Sequence, residues 1–295
     1  MAKQIISFII NPISGTRKKD SWPEMIYRNM DTSRFDVRIF FTERAGHASE
    51  LAHQQIEEGI RYIVAAGGDG TVNEVARAVR DTPAAMGIIP CGSGNGLARH
   101  LHIPLKLADA LKHINYASVV SIDYGVVNDN PFFCTFGVGF DAHVSQSFAM
   151  SKKRGFWTYV FSIVRELFKY RSRKYKLKID GNKLKAKAFT VTIANASQFG
   201  NNAYISPHAD IADGNLDVCI ISPFPRFKVA FLACRLLRKS IHKSRYYRMI
   251  RGKKIMIKRK HEGEAHLDGD PYMMGKKLKI KIVPQGLKVL VSRGF

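Results

Sequence analysis

Between residue 3 and about residue 125, apolar runs of strand length alternate in strict turn with helix-spaced segments, and this restricts the fold more than any other feature of the chain. The strand-like runs are 5–10, 35–41, 62–66 and 85–89; the helix-like stretches are 22–30, 48–58, 72–79, 94–101 and 107–113. Such alternation builds a mostly parallel sheet covered by helices on both faces. Sheets of that kind bind ligands at the carboxyl ends of their strands. Asn11, Thr42, the stretch 67–73 and the stretch 92–96 each follow a predicted strand, so they are expected to converge on one edge.

Beyond residue 125 the texture becomes strand-rich, with runs at 119–127, 132–137, 174–179, 184–194, 216–221, 253–258 and 277–283. These predict an antiparallel β domain interrupted by helical insertions at 155–170 and 226–240. In the first insertion Trp157, Val160, Phe161, Val164, Leu167 and Phe168 fall on one apolar face flanked by Arg165, Lys169 and Arg171. That face would pack on the β domain or rest on a membrane. With 295 residues the chain is expected to form two domains, an α/β domain over 1–125 and a β domain over 126–284.

Charge divides along the same line. Residues 1–125 carry 14 Lys and Arg against 13 Asp and Glu, a net of +1, whereas residues 126–295 carry 33 against 11, a net of +22. Such a field attracts an anionic membrane surface or a nucleic acid. The absence of RRM, KH, zinc-finger and helix-turn-helix patterns makes nucleic acid the less expected partner. Cys91, Cys134, Cys219 and Cys234 are scattered without metal spacing, which fits a reducing cytoplasm. The opening apolar stretch is broken at Asn11-Pro12, and no run reaches the eighteen or so residues that would span a bilayer. The expected location is cytoplasmic, peripheral at the inner membrane face.

The stretch 66–74, Ala-Gly-Gly-Asp-Gly-Thr-Val-Asn-Glu, stands where a predicted strand hands over to a helix. Gly67, Gly68 and Gly70 let backbone N–H groups approach a polyphosphate, and the following helix turns its partly positive end the same way. Asp69 would repel phosphates unless a cation intervenes or the carboxylate takes part in chemistry, which points to nucleotide, Mg2+ and phosphoryl transfer together. The same residues would also serve as a tight, capped strand-to-helix turn.

Three further motifs weigh against the plain turn: Asn11-Pro12-Ile13-Ser14-Gly15, the stretch 90–98 with its Gly92-Ser93-Gly94-Asn95, and the late Asp268-Gly269-Asp270-Pro271. In this order and spacing the four motifs resemble the diacylglycerol kinase catalytic domain family, which includes bacterial lipid kinases and the sphingosine kinases, over nearly the whole chain. Gly-Ser-Gly-Asn looks more like the sphingosine branch. The resemblance implies an α/β nucleotide-binding domain followed by an antiparallel β-sandwich, with ATP and lipid meeting in a cleft and residues 285–295 returning to the first domain. It places nucleotide contacts on Asn11, Pro12, Ile13, Ser14, Gly15, Thr42, Gly67, Gly68, Asp69, Gly70, Thr71, Val72, Asn73 and Ser93. It also places a structural Mg2+ on the loop containing Asp210, Asp213 and Asn215, where oxygen donors suit a hard cation.

The family's Asp-Gly-Glu supplies the carboxylate that takes a proton from the lipid hydroxyl; here that position is Asp270, one methylene shorter. Asp69 is the second candidate, as base or as orienter of Mg2+, and Asp268 and Glu264 stand behind it. The implied activity is transfer of the γ-phosphate of ATP to a lipid hydroxyl such as that of diacylglycerol or a sphingoid base, with a homodimer left open. Rival readings are an NAD kinase-like enzyme and a non-catalytic basic membrane- or nucleic-acid-binding module on a kinase scaffold.

Overall fold

A computed structural model describes residues 3–15, 19–149, 166–167 and 170–292. Of the expected helix over 155–170, Glu166, Leu167 and Tyr170 alone lie among them. The chain divides into two compact units, Met1–Ile122 with Gln285–Phe295, and Asp123–Pro284.

The first unit is built on strands β1 (Gln4–Ile10), β2 (Phe35–Phe41), β3 (Tyr62–Gly67) and β4 (Ala85–Pro90), in the order β2-β1-β3-β4 and all parallel. Ile63 to Ala66 in β3 and the whole of β4 are buried, the continuous apolar reading of a sheet covered on both faces. Helices α1 (Trp22–Asn29), α2 (His47–Glu57), α3 (Asp69–Val79), α4 (Gly96–His100) and α5 (Leu107–Tyr116) connect and follow the strands. In α3 the buried Val72, Val75, Ala76 and Val79 recur at offsets of three and four, the stripe that holds the helix on the sheet. In α1, Pro near the start with Glu24 in the first turn and Arg28 in the last match the polarity of the helix dipole.

The second unit is a sandwich. One layer is a six-stranded antiparallel sheet in the order β12 (Tyr247–Gly252), β11 (Leu216–Ile221), β10 (Thr190–Ala194), β7 (Thr135–Gly139), β14 (Gly263–Leu267), β15 (Asp270–Met274). The facing layer runs β16, β13 (Lys254–Lys258), β8 (Arg173–Ile179), β9 (Asn182–Ala188), also antiparallel. Strand β16 (Lys277–Val291) gives its first part to this layer and, from Gln285, its later part to the first unit, where Val289 pairs in parallel with Met86. Strand β5 (Ser118–Val127) passes between the units at Asp123 and pairs with β6 (Asn130–Phe132). Phe136, Val138, Val191, Ile193 and Val218 of the first layer pack against Tyr175, Leu177, Ile255, Ile257 and Ile280 of the second. The inward residues of β8 alternate with Lys174, Lys176 and Lys178 pointing out.

Two predicted strands are each divided in the structure. The run 132–137 ends as β6 and restarts as β7, because the Asp268 carboxylate takes the N–H groups of Phe133, Cys134 and Thr135 at 2.7–2.8 Å. The run 184–194 splits at Phe189 into β9 and β10, which belong to opposite layers; the Phe189 N–H already bonds Ile221 O of β11, in the six-stranded layer. Helix α6 (Phe140–Ala149) and the β14–β15 hairpin carried no signal strong enough to be read from sequence. Helix α7 (Val229–Leu237) occupies the middle of the predicted insertion at 226–240.

Candidate active site

In the strand order β2-β1-β3-β4 the chain leaves β1 toward one edge and returns on the other side for β3, so the switch point lies between β1 and β3. That is where parallel sheets open a crevice for ligands. Asn11, the first residue after β1, donates its N–H to Ala66 O at 3.0 Å and its side-chain amide to Thr71 Oγ1 at 3.1 Å. Cys91, after β4, donates its N–H to Gly67 O at 2.8 Å, and Thr42, after β2, donates to Ile10 O at 2.9 Å. Three motifs distant in sequence are thereby tied together by their own backbones.

Asp69 fastens the third motif to the second. Its Oδ2 accepts the Asn95 N–H at 2.9 Å and its Oδ1 accepts the Gly96 N–H at 2.8 Å, so both oxygens hold the start of α4. Asn95, in the left-handed region at φ 51°, closes the loop on itself: its Oδ1 accepts the Gly92 N–H at 2.9 Å and its Nδ2 donates to Gly92 O at 2.7 Å. The loops approach so closely that a Cβ on Gly92 would stand 2.9 Å from Gly68 Cα. Gly70 is different. A Cβ there would meet nothing within 4 Å, so the chain itself makes no demand for glycine, and the bare backbone faces open space where a ligand could come close. The amides of Asp69, Gly70 and Thr71 open α3 and have no partner within the helix, the ordinary basis of phosphate binding.

The expected nucleotide residues divide by exposure. Pro12, Ile13, Gly15, Gly70 and Ser93 are exposed and Asn11, Ser14, Gly68 and Asp69 are half-buried, all within reach of a ligand. Ile13 is 86% exposed, an apolar side chain offered at the rim. Thr42, Gly67, Thr71, Val72 and Asn73 are buried. Val72 has its side chain in the core stripe and its N–H bonded to Gly68 O, so its part is structural support.

Lys19 is a residue that the sequence reading missed. Its ammonium reaches Asn11 O and Ser14 Oγ, inside the first motif, and lies 5.0 Å from the Trp22 ring centroid. Burial lowers its pKa from the ordinary lysine value, and burial likewise raises the neighbouring Cys91 thiol to about 11. The available signal was a basic run at 17–19 directly behind the glycine of the first motif.

In the second unit Asp270 opens β15 with an exposed side chain. The neighbouring acids are engaged. The Asp268 carboxylate is turned inward onto its three N–H donors, and burial raises its pKa to about 6 against their pull. Glu264 meets His143 Nδ1 at 3.0 Å, and the other ring nitrogen of His143 meets Glu166 at 3.0 Å. His266 Nε2 stands 3.2 Å from Asp141 Oδ2, which also accepts the Thr192 hydroxyl at 2.7 Å. Burial opposes ionisation of Asp141, but His266 and the hydroxyl outweigh it and hold the pKa below the usual carboxylate value. Of the two acids of the late motif, Asp270 is the more exposed.

The loop before β11 is held as a turn: Asp210 Oδ1 accepts Ala212 N–H at 2.9 Å, Asp213 Oδ1 accepts Asn215 N–H at 2.8 Å, and Asn215 Nδ2 donates to Asp213 O at 2.9 Å. Buried Asp123 reaches it from β5, accepting the Gly214 N–H at 2.6 Å; an acid inside a mostly apolar strand was the readable sign of that role. Arg251 lies 3.7 Å from Asp213 and 3.2 Å from Asp217. Among the described residues no three His, Cys, Asp or Glu side chains converge as a metal cage. The donors suit a hard cation held largely by backbone carbonyls, and do not suit one held by carboxylates alone.

An α/β unit with a backbone cradle at its switch point, joined to an antiparallel sandwich, defines a two-part, phosphate-handling class of protein. Residues 6–127 match the diacylglycerol kinase catalytic domain, and residues 134–291 match the YegS C-terminal NAD kinase beta sandwich-like domain. The chain therefore belongs to the family that joins a diacylglycerol kinase catalytic domain to a YegS C-terminal domain. It is 29% identical over 263 residues to a Pseudomonas putida protein named "Probable lipid kinase YegS-like", spanning 88% of this chain and 86% of that one. An uncharacterized Synechocystis protein is 28% identical over 231 residues, 72% of this chain but 52% of its own length. A Bacillus anthracis structure described as a diacylglycerol kinase superposes with a TM-score of 0.78 at 19% identity, covering 99% of this chain and 97% of that one, and so shares the fold.

Proposed function

We propose that the protein is an ATP- and Mg2+-dependent lipid kinase acting at the inner face of the membrane. The observation that carries the reading is the cradle of Asn11–Gly15, Gly67–Thr71 and Gly92–Gly96, whose helix-opening amides offer donors to a triphosphate while the buried Lys19 holds the first motif in place. Phosphoryl transfer relies chiefly on positioning and charge neutralisation, so a backbone cradle can take the place of a lysine-bearing phosphate loop. The lipid hydroxyl oxygen attacks the γ-phosphorus, the bond from that phosphorus to the β,γ-bridging oxygen breaks, ADP leaves, and the hydroxyl proton passes to Asp270. When bound, Mg2+ supplies neutralising charge on the β- and γ-phosphates. The loop containing Asp210, Asp213 and Asn215 is the proposed seat of a second, structural Mg2+. Among the described residues no helix is long and apolar enough to cross a membrane. The acceptor belongs to the hydroxylated lipids, diacylglycerol or a sphingoid base among them.

The test is incubation of purified protein with labelled ATP, Mg2+ and a total lipid extract, with the labelled product identified by mass spectrometry. Label in an extractable lipid, abolished by Asp270→Asn, is the expected result. Label on NAD, or none anywhere, would overturn the reading.

A further inference from the structure

We propose that the outward face of the layer β16-β13-β8-β9 is the surface by which the protein lies on an anionic lipid bilayer. The strand register sets lysines side by side across the layer. Lys277, Lys258, Lys176 and Lys185 form one row over four strands. Lys279, Met256, Lys178 and Lys183 form the next, and the directly opposed pairs Lys254 with Lys281 and Lys174 with Lys187 extend the array. All eleven lysines are exposed, and among the described residues none is in an ion pair. They account for half of the +22 carried by residues 126–295.

Side chains opposed across antiparallel strands stand about 4.5–5.5 Å apart, and like charges so placed destabilise the sheet. The lysines cannot turn away, because the alternating Tyr175, Leu177, Ile179, Leu278 and Ile280 are locked in the core and fix the register. An array that costs the fold stability and has no carboxylate at its outward positions calls for anions from outside the chain. Its chemistry favours a bilayer over a nucleic acid. The face is a continuous four-strand sheet surface, its outward positions hold no aromatic ring for a base to stack on, and every cation is lysine, a point charge without the planar fork that reads phosphate geometry. An array of point charges spread over a sheet face fits a surface of mobile phosphates. Each lysine near an anionic surface is worth about five-fold in partitioning.

The proposal deepens the lipid-kinase reading and rests on it only in taking a membrane as the working surface. Vesicles of phosphatidylglycerol and phosphatidylcholine, and of phosphatidylcholine alone, are sedimented with the full-length protein at low salt. The variant Lys176→Gln/Lys178→Gln/Lys185→Gln is compared with Lys3→Gln/Lys106→Gln/Lys112→Gln, which removes equal charge from the first unit. The face variant should bind the anionic vesicles about 100-fold more weakly and melt at a higher temperature than wild type, with the control nearly unchanged in binding. Equal weakening by both variants, binding to phosphatidylcholine as tight as to phosphatidylglycerol, a lower melting temperature in the face variant, or displacement from vesicles by oligothymidylate at equal phosphate concentration would each overturn it. Phosphorylation of a dispersed short-chain lipid acceptor is measured in parallel. Binding to anionic vesicles with no lipid phosphorylated would sink the kinase reading and leave the face standing; phosphorylation without vesicle preference would do the reverse.

Discussion

Asp69→Asn separates two roles that the glycine-rich motif allows for its carboxylate. In the structure both oxygens accept backbone N–H groups, from Asn95 at 2.9 Å and Gly96 at 2.8 Å, so the residue clamps the loop before α4 onto the start of α3. The amide keeps one acceptor oxygen, turns an NH2 toward the other N–H, and removes the charge that strengthened both bonds. A hydrogen bond to a charged group contributes about 1.5–3 kcal/mol, and a neutral one roughly half of that. Losing one bond and weakening the other, at a half-buried position where water takes part of the load, should cost about 2 kcal/mol. Urea unfolding reads this as a lower midpoint, and hydrogen exchange locates it, with protection lost at the amides of Asn95 and Gly96. If the clamped loop forms one wall of the cradle, calorimetric ATP affinity falls by a comparable amount, about 30-fold. Unchanged exchange at those two amides, and stability within about 0.5 kcal/mol of wild type, together with abolished lipid phosphorylation, would refute the clamp and leave Asp69 a purely chemical role.

Asp270→Asn should lower kcat by about 10²–10⁴-fold with an unaltered melting temperature, because the side chain is exposed, and Asp270→Glu should retain activity, as steady-state kinetics on the identified lipid will show. The lowered pKa of Lys19 means that its charge is lost below the ordinary lysine range as pH rises; ATP affinity should therefore decline on the alkaline side, and Lys19→Arg should abolish that decline in a titration calorimetry series. Asp268 has its folded pKa raised to about 6, so the proton is bound more tightly in the folded state than in the unfolded. Its contribution is present below about pH 4 and lost as pH rises to 6; relative to Asp268→Asn, wild-type unfolding free energy should fall across that window by about 1–3 kcal/mol and level off above it. Asp213→Ala removes the acceptor of the Asn215 N–H and the partner of Arg251, and should lower the second unit's melting temperature; if the loop holds Mg2+, the difference between variant and wild type widens when Mg2+ is added.

The alternation in the first 125 residues could be read because the inner strands β1, β3 and β4 are largely buried and stand in sequence as nearly continuous apolar runs. The glycine motifs were equally legible, since a Cβ on Gly92 would stand 2.9 Å from Gly68 Cα and leave no room for a side chain. What escaped the reading depends on partners far along the chain. The grip of Asp69 on Asn95 and Gly96 joins positions 26 and 27 residues apart, and nothing local at Asp69 distinguishes an acceptor of N–H groups from a ligand of Mg2+. The Asp268 carboxylate breaks a predicted strand from more than 130 residues away. Lys19 looked like one more member of a basic run until the fold turned its ammonium into the first motif. The lysine alternation of β8 and β9 was plain in sequence, but its meaning lies in the register, which sets Lys176 against Lys185 and both in line with Lys258 and Lys277.

The uneven charge matches what each of the two proposed ligands demands. A triphosphate is a single object of fixed shape, recognised best by donors fixed in direction, and a strong undirected field around its site would hold ADP nearly as well as ATP and slow its release. A first unit of net +4, with 16 Lys and Arg against 12 Asp and Glu, that arranges amides by mutual hydrogen bonds, with one lysine drawn into the first motif, meets that demand. A membrane surface has no fixed arrangement of phosphates, so directed donors gain nothing there and summed charge decides the affinity. The second unit places lysines on a sheet face whose register no single headgroup needs to match. On the proposed reading, specificity and attachment fall to different surfaces, each tunable without loss of the other.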